Sequence, residues 1–92
     1  MIGSLSGRIQ FKTAQTIILD VGGVGYTVWV NLSTISQLGS VGEQAYLITH
    51  LDVKEDSLTL FGFLEYPAYE LFLKLTSVSG VGSKSALTIL DL

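Results

Sequence analysis

The chain has 92 residues, of which 48% are hydrophobic and only 14% are charged, against roughly a quarter charged in a typical soluble domain. This balance excludes a disordered segment, and because a domain of this size leaves part of its apolar surface uncovered, it predicts a surface for self-association. The net charge of −3 excludes a protein that coats nucleic acid through overall positive charge, so any contact with phosphate must come from a local patch.

Several other classes of protein are excluded by what the chain lacks. It has no cysteine, so disulfide frameworks, zinc knuckles and thiol catalysis are absent. Residues 1–12 have no basic segment followed by an apolar core, as a signal peptide requires. The apolar runs are far shorter than the roughly 20 residues that span a bilayer. We therefore expect a soluble, cytoplasmic protein without membrane contacts.

Hydrophobic residues alternate with a period of two through the first 64 residues, which is typical of short β-strands. Turn signals separate these segments at residues 22–25, 31–42 and 54–57, and residues 31–35 fit one short helical turn. About five strands with one irregular excursion predict a small closed or nearly closed barrel. The alternating positions are Ile17, Leu19 and Val21; Tyr26, Val28 and Val30; Tyr46, Ile48 and His50; and Leu58 and Leu60.

The period becomes helical after Pro67, a residue suited to the first turn of a helix. Glu70 and Lys74 are spaced as an i,i+4 ion pair, and the first helix is predicted to end at Ser79-Gly80 because glycine adopts the left-handed cap conformation. The predicted apolar stripe of this helix contains Ala68, Leu71, Phe72, Leu75 and Val78.

A second helix is predicted from Ser83, with Ala86, Ile89 and Leu90 as its apolar positions. Its pattern stops at Leu92, barely two turns after it begins. We therefore expect the chain to be part of a longer protein, truncated within a helical unit.

The glycine-rich segment 79–85 resembles a nucleotide-binding loop but lacks its spacing. A phosphate-binding P-loop requires glycine where this chain has Val78 and Ser83, and the third glycine of a dinucleotide fingerprint would fall at Ser85. No acid–base pair or cluster of metal ligands emerges elsewhere. We expect no cofactor, no metal and no catalytic residues.

The same segment fits a helix-hairpin-helix motif. Gly80 and Gly82 would let the backbone approach a phosphate group, Val81 would fill the angle between the helices, and Lys84 would add a positive charge. Such a site reads phosphate geometry and not base sequence. A plain helical hairpin with a glycine cap is the alternative, and the spacing alone leaves both open.

Three other features have a simpler interpretation. Glu55 and Asp56 lie at a predicted hairpin tip, where a solvated polar turn is the ordinary explanation. His50 is a lone histidine without a nucleophile nearby, which favours a structural role. Aromatic residues such as Trp29 and Phe63 could stack bases, but few basic residues accompany them, so packing is favoured.

Five short motifs follow one another in order along the whole chain, and each is weak alone. They are MIGxLxG at 1–7, DVGGVGY at 20–26, THLxVKED at 49–56, LFGF at 60–63 and GVGxKxALxIL at 80–90. Together they resemble the RuvA family of proteins that bind Holliday (four-way) junctions.

The resemblance implies a mainly β fold with C-terminal helices: an OB-fold five-stranded β-barrel over residues 1–64, followed over residues 65–92 by the first helix-hairpin-helix of a truncated DNA-binding domain. It implies that Glu55 and Asp56 form an acidic pin, which repels phosphates where the four arms cross. It assigns DNA binding to Gly80, Val81, Gly82, Ser83, Lys84 and Lys54.

The resemblance also implies partners. These are four-way junction DNA, three further copies in a homotetramer (an octamer on the junction stays open), the RuvB motor through a missing C-terminal domain, and the RuvC resolvase. The chain would be an accessory subunit of an ATP-dependent branch-migration helicase in recombination and repair, and this fragment is not expected to stimulate RuvB. The alternative function is a tetramerisation scaffold with little DNA binding of its own.

The chain departs from the family pattern at four positions. The family often carries basic residues at Ser4 and Ser6, proline at Ser83 and arginine at Lys54. These departures concern the strength of the phosphate contacts.

Overall fold

Strands occupy the N-terminal part of the chain and helices the C-terminal part in the computed structural model, which describes residues 1–92. The order of elements agrees with the predicted mainly β fold with helices at the C-terminus. The elements are β1 (Ser4–Lys12), β2 (Thr16–Val21), β3 (Val24–Trp29), α1 (Leu32–Gln37), β4 (Gln44–Lys54), β5 (Ser57–Phe63), α2 (Tyr66–Thr76) and α3 (Ser83–Ile89).

The five strands form a closed barrel in the order β1-β2-β3-β5-β4. All neighbouring strands are antiparallel except β3 and β5, which are parallel. The barrel closes because β1 pairs with β4 through its first half and with β2 through its second, with a bulge between Ile9 and Phe11. This connectivity, with α1 between β3 and β4, confirms the predicted OB-fold.

The barrel interior is filled by the inward-facing members of the alternating strands. Their side chains form one buried cluster, which confirms the period of two in the sequence. Its members are Leu5, Ile9, Ile17, Leu19, Val28, Val30, Ala45, Leu47 and Leu60.

Gly62 lies where the barrel interior has no room for a side chain. A Cβ atom at this position would lie 2.6 Å from Val28 Cγ1 and 3.1 Å from Leu47 Cδ1. We expect Gly62→Ala to lower the free energy of unfolding by about 1–3 kcal/mol, since extra volume in a packed core forces its neighbours apart. Urea unfolding measures this. Gly3→Ala is the control, because a Cβ at Gly3 meets nothing within 4 Å; equal effects at the two glycines would contradict the packing argument.

The helices α2 and α3 pack on the outer face of the β4–β5 hairpin. Phe72, fully buried in α2, has its ring centroid 5.4 Å from that of Phe61 and 5.0 Å from that of Phe63, both in β5. Ala86 and Leu87 of α3 complete this second cluster. The helical hairpin is therefore held to the barrel by an aromatic core, and its position is coupled to the β4–β5 hairpin.

The histidine of β4 belongs to the same contact region. The His50 ring centroid lies 5.6 Å from that of Phe72 and 6.2 Å from that of Tyr69. This packing is the structural role expected from the sequence.

The end of α2 was predicted too late in the chain. The helix ends at Thr76, not at Ser79-Gly80. The hydroxyls of Thr76 and Ser77 donate to carbonyl oxygens of the last turn, with Ser77 Oγ 2.6 Å from the Lys74 oxygen. These local hydrogen bonds satisfy carbonyls that a longer helix would use.

The exposed faces of the helices also differ from prediction. Leu71 and Val78 of the predicted stripe are exposed, and in α3 Leu87 is buried while Ile89 is 40% exposed. The spaced pair Glu70 and Lys74 forms no ion pair. The hairpin buries a narrow stripe because only one side of each helix meets the barrel. None of the three helices has the length and apolar character needed to cross a membrane.

Candidate nucleic-acid interface

The loop between α2 and α3 is shaped by a turn at Gly80. The Val81 amide donates to the Val78 carbonyl at 3.1 Å, and Gly80 has φ of +88°, a conformation that favours glycine. Val81 is half-buried against the aromatic cluster beneath the helices. The loop is thus anchored through Val81, while Gly80 and Gly82 face solvent.

Backbone donors without an acceptor follow this turn. No hydrogen bond in the structure uses the amides of Gly82, Ser83, Lys84 or Ser85, and Gly82 caps α3 without any side-chain hydrogen bond. No acidic residue lies in the first turn of α3. These amides are the ordinary free donors of a helix start, and here Lys84 adds a formal positive charge among them.

Lys84 is held against an aromatic ring of the barrel. Its Nζ lies 4.0 Å from the ring centroid of Trp29 in β3, within the range of a cation–π contact. The two residues share a groove with Gln15, Thr88 and Asp91. Trp29 therefore keeps the Lys84 ammonium group near the start of α3 instead of leaving it free in solution.

The acidic residues Glu55 and Asp56 form the two-residue loop of the β4–β5 hairpin, between the paired residues Lys54 and Ser57. Both are exposed and neither makes a hydrogen bond or ion pair through its side chain. Only glycines have positive φ in this chain, so the turn is neither type I′ nor type II′. Because this turn needs no glycine, both of its central positions can carry carboxylates.

Asp52 is a functional candidate that the sequence reasoning missed. It lies on the outer face of β4, between His50 and Lys54, and one oxygen of its carboxylate, Oδ2, accepts a hydrogen bond from Ser83 Oγ at 3.2 Å. The same oxygen is 3.8 Å from Lys54 Nζ. The sequence signal that could have identified Asp52 is the alternation of β4, which places this residue on the face that the aromatic residues and the helices cover.

Asp91, which the sequence did not indicate either, joins the segment after α3 to the start of α1. Its two carboxylate oxygens accept from the amides of Leu32 and Ser33 at the start of α1, each at 3.1 Å. Asn31 caps the same helix through the Thr34 amide. No sequence signal links residues so far apart in the chain, because the contact depends on where α3 docks.

The structure brings most of the predicted DNA-binding residues to one side of the molecule. The loop of Gly80 to Lys84 lies next to β4, and Asp52 connects it to Lys54. Glu55 and Asp56 extend beyond this site at the tip of the same hairpin. No three acidic or histidine side chains cluster as metal ligands would.

The connectivity and the glycine-containing loop define the class of protein: an OB-fold barrel with an appended helical hairpin. Residues 1–62 match the family model described as the RuvA N terminal domain. The chain therefore belongs to the RuvA family, as the sequence resemblance predicted.

Curated relatives match the chain almost end to end. The chain is 46% identical over 91 residues to the Holliday junction branch migration complex subunit RuvA of Methylibium petroleiphilum, covering 99% of this chain and 47% of the relative. Proteins of the same name from Pseudomonas aeruginosa and Acetivibrio thermocellus are 48% and 40% identical, each with 99% of this chain and 45% of the relative covered. The chain thus spans about half the length of the curated relatives it matches.

Proposed function

We propose that this chain binds four-way DNA junctions as a non-catalytic subunit of a branch-migration complex, by structure and not by sequence. The observation that carries the proposal is the juxtaposition of the loop Gly80 to Lys84, whose last amides have no acceptor, with a strand hairpin that ends in two free carboxylates. The names of the relatives, which are subunits of a Holliday junction branch migration complex, support it.

Phosphate binding rests on the loop and its cation. A phosphate group near Gly82 would meet backbone amides that have no acceptor in the protein, and Lys84 would supply the charge that a phosphate favours. Lys54, with a side chain 64% exposed, adds a second cation on the neighbouring strand. None of these groups can distinguish one base from another, so the recognition is independent of sequence.

Preference for a junction rests on the acidic tip. The loop between β4 and β5 is one that OB-fold proteins commonly use to contact nucleic acid, yet here it carries Glu55 and Asp56. Two unpaired carboxylates repel a continuous duplex backbone. A junction, whose arms diverge around a central opening, can seat its phosphates on the loops while the acidic tips occupy the opening.

The proposal includes a homotetramer, with two tetramers on one junction as the larger alternative. Exposed apolar side chains favour self-association, among them the cross-strand neighbours Val53 and Leu58, which are 61% and 71% exposed. Four copies of a chain with net charge −3 carry −12 in total, so the positive sites must all face the DNA. The proposal also includes a RuvB motor and a RuvC resolvase as partners and the cytoplasm as the site of action.

A competition titration tests the proposal. A labelled synthetic four-way junction is bound at low salt and displaced by unlabelled junction, matched linear duplex or single strand. We expect the junction to compete at a concentration at least about tenfold lower than duplex, because only the junction engages several loops at once. Equal competition by duplex would contradict the proposal, and absence of binding would favour the alternative, a scaffold that assembles without binding DNA by itself.

A further inference from the structure

An acidic residue lies inside the site that the proposed function assigns to a phosphate. Asp52 is on the strand next to the loop of Gly80 to Lys84, directly opposite Thr59 of β5. Its side chain is 23% exposed. A carboxylate here opposes phosphate binding by charge, and neither the phosphate loop nor the acidic tip accounts for it.

The contacts of Asp52 involve two of the residues proposed to bind DNA. Oδ2 accepts the hydrogen bond of Ser83 Oγ at 3.2 Å and lies 3.8 Å from Lys54 Nζ, in the only ion pair of the structure. A serine hydroxyl has one proton to donate. While Ser83 donates to Asp52, it cannot donate to a phosphate, and the charge of Lys54 is partly compensated.

We propose that Asp52 is an internal competitor of the DNA phosphate: its carboxylate occupies the Ser83 hydroxyl and the Lys54 ammonium group in the free protein and gives them up when DNA binds. The inference rests on the proposed function. It makes Asp52 a positioning residue that sets the affinity of each site. When a phosphate leaves, Ser83 and Lys54 return to Asp52, so that neither donor is left unpaired and release of DNA is fast.

Two substitutions separate the charge of Asp52 from its hydrogen bond. Asp52→Asn keeps an oxygen acceptor for Ser83 and removes the charge, whereas Asp52→Ala removes both. We expect Asp52→Asn to tighten junction binding about threefold for each engaged site, and more at low salt, since the charge acts through a partly solvent-filled space. The gain is larger for a junction than for linear duplex, because a junction engages more sites, and dissociation in stopped-flow measurements becomes slower.

The control for charge is Asp20→Asn. Asp20 lies away from the loop and accepts a hydrogen bond from the Gly23 amide at 2.8 Å in the β2–β3 turn. Asp20→Asn therefore changes the net charge by the same amount and still provides an oxygen acceptor for Gly23. We expect it to alter junction affinity less than twofold. If Asp20→Asn tightens binding as much as Asp52→Asn does, total charge explains the effect and the inference is overturned.

A double-mutant cycle tests the competition itself. In the unchanged chain, Ser83→Ala should change junction affinity less than twofold, because the Ser83 hydroxyl only exchanges the Asp52 carboxylate for a phosphate as its acceptor. In the Asp52→Ala background, Ser83→Ala should weaken binding by about threefold or more, since the freed hydroxyl then donates to phosphate. Equal effects of Ser83→Ala in both backgrounds would overturn the inference. It would also be overturned if Asp52→Asn bound the junction more weakly than the unchanged chain while its free energy of unfolding in urea stayed the same.

The outcomes also separate this inference from the proposed function. If the unchanged chain prefers the junction and Asp52→Asn leaves its affinity unaltered, only the inference fails. If the unchanged chain binds no DNA but Asp52→Asn binds the junction, the internal competition is supported and is strong enough to block the site. If neither protein binds any DNA, both are overturned.

Discussion

Lys84→Ala is expected to weaken binding to a four-way junction by at least about fivefold for each site that engages a phosphate. The ammonium group is the only formal positive charge in the loop of Gly80 to Lys84, and the free amides around it carry partial charges only. The salt dependence should flatten as well: the slope of log K against log salt becomes less negative by about 0.9 for each phosphate contact that is lost. Fluorescence anisotropy over a series of salt concentrations measures both quantities.

Lys74→Ala is the matched control for this prediction. Lys74 is an exposed lysine in the last turn of α2, without an ion pair, so its removal changes the net charge equally. We expect it to change affinity less than twofold. If both lysines have the same effect, the attraction is general and the loop is not the phosphate site.

The position of Lys84 in the free protein offers an independent readout. Its ammonium group lies 4.0 Å from the ring centroid of Trp29, the only tryptophan of the chain. When Lys84 turns toward a phosphate, the ring loses this cation, and the tryptophan emission should change on addition of junction DNA. Lys84→Ala should abolish that change; its persistence would mean that the DNA perturbs Trp29 by another route.

Glu55→Gln combined with Asp56→Gln is expected to tighten junction binding by about tenfold and to reduce the preference for junction over duplex. The Coulomb energy of two unit charges 4 Å apart is about 1 kcal/mol in water and larger where solvent is excluded. Removing two negative charges from each hairpin tip lowers that repulsion for any DNA. Duplex gains the most, because its continuous backbone cannot avoid the tips. Parallel titrations with junction and duplex measure affinity and preference together.

The control for the acidic tip is Glu65→Gln combined with Glu70→Gln. These two exposed carboxylates lie at the start of α2 and within it, and make no ion pair. They carry the same total charge as the tip but lie outside the β4–β5 hairpin. If the tip variant leaves both affinity and preference unaltered, or if the control reproduces its effect, the pin assignment is wrong.

The barrel was predictable because its signal is local. Alternation at positions such as Ile17, Leu19 and Val28 depends on the pleat of a strand, in which side chains point to opposite faces, and all three are buried inside the barrel. The helix starts were predicted from local signals as well: Pro67 lies in the first turn of α2, which begins at Tyr66, and α3 begins at Ser83 as predicted. The end of α2 was not, because hydroxyl groups at Thr76 and Ser77 compete with the helix for its last carbonyls.

The residues of the candidate site were also identified where their signal is local. Gly80, Gly82 and Lys84 are close in the chain, so their spacing alone suggested a helical hairpin, with phosphate binding and a plain glycine cap both open. Glu55 and Asp56 were placed at a hairpin tip by the turn signal around them. The assignment of these residues to DNA remains a prediction, as does the boundary between residues 64 and 65.

Which distant groups face the loop depends on how the helical hairpin docks on the barrel. The barrel strands, the two C-terminal helices and the glycine turn follow from local sequence patterns, since each depends on hydrogen bonds and side-chain periods within a few residues. The hydrogen bond of Ser83 to Asp52, the contact of Lys84 with Trp29 and the cap that Asp91 provides for α1 all join separate elements. These contacts form because Phe72 packs against Phe61 and Phe63 and so holds the helical hairpin on β5 in one orientation. This docking depends on the packing of a whole cluster of side chains, which no local pattern encodes.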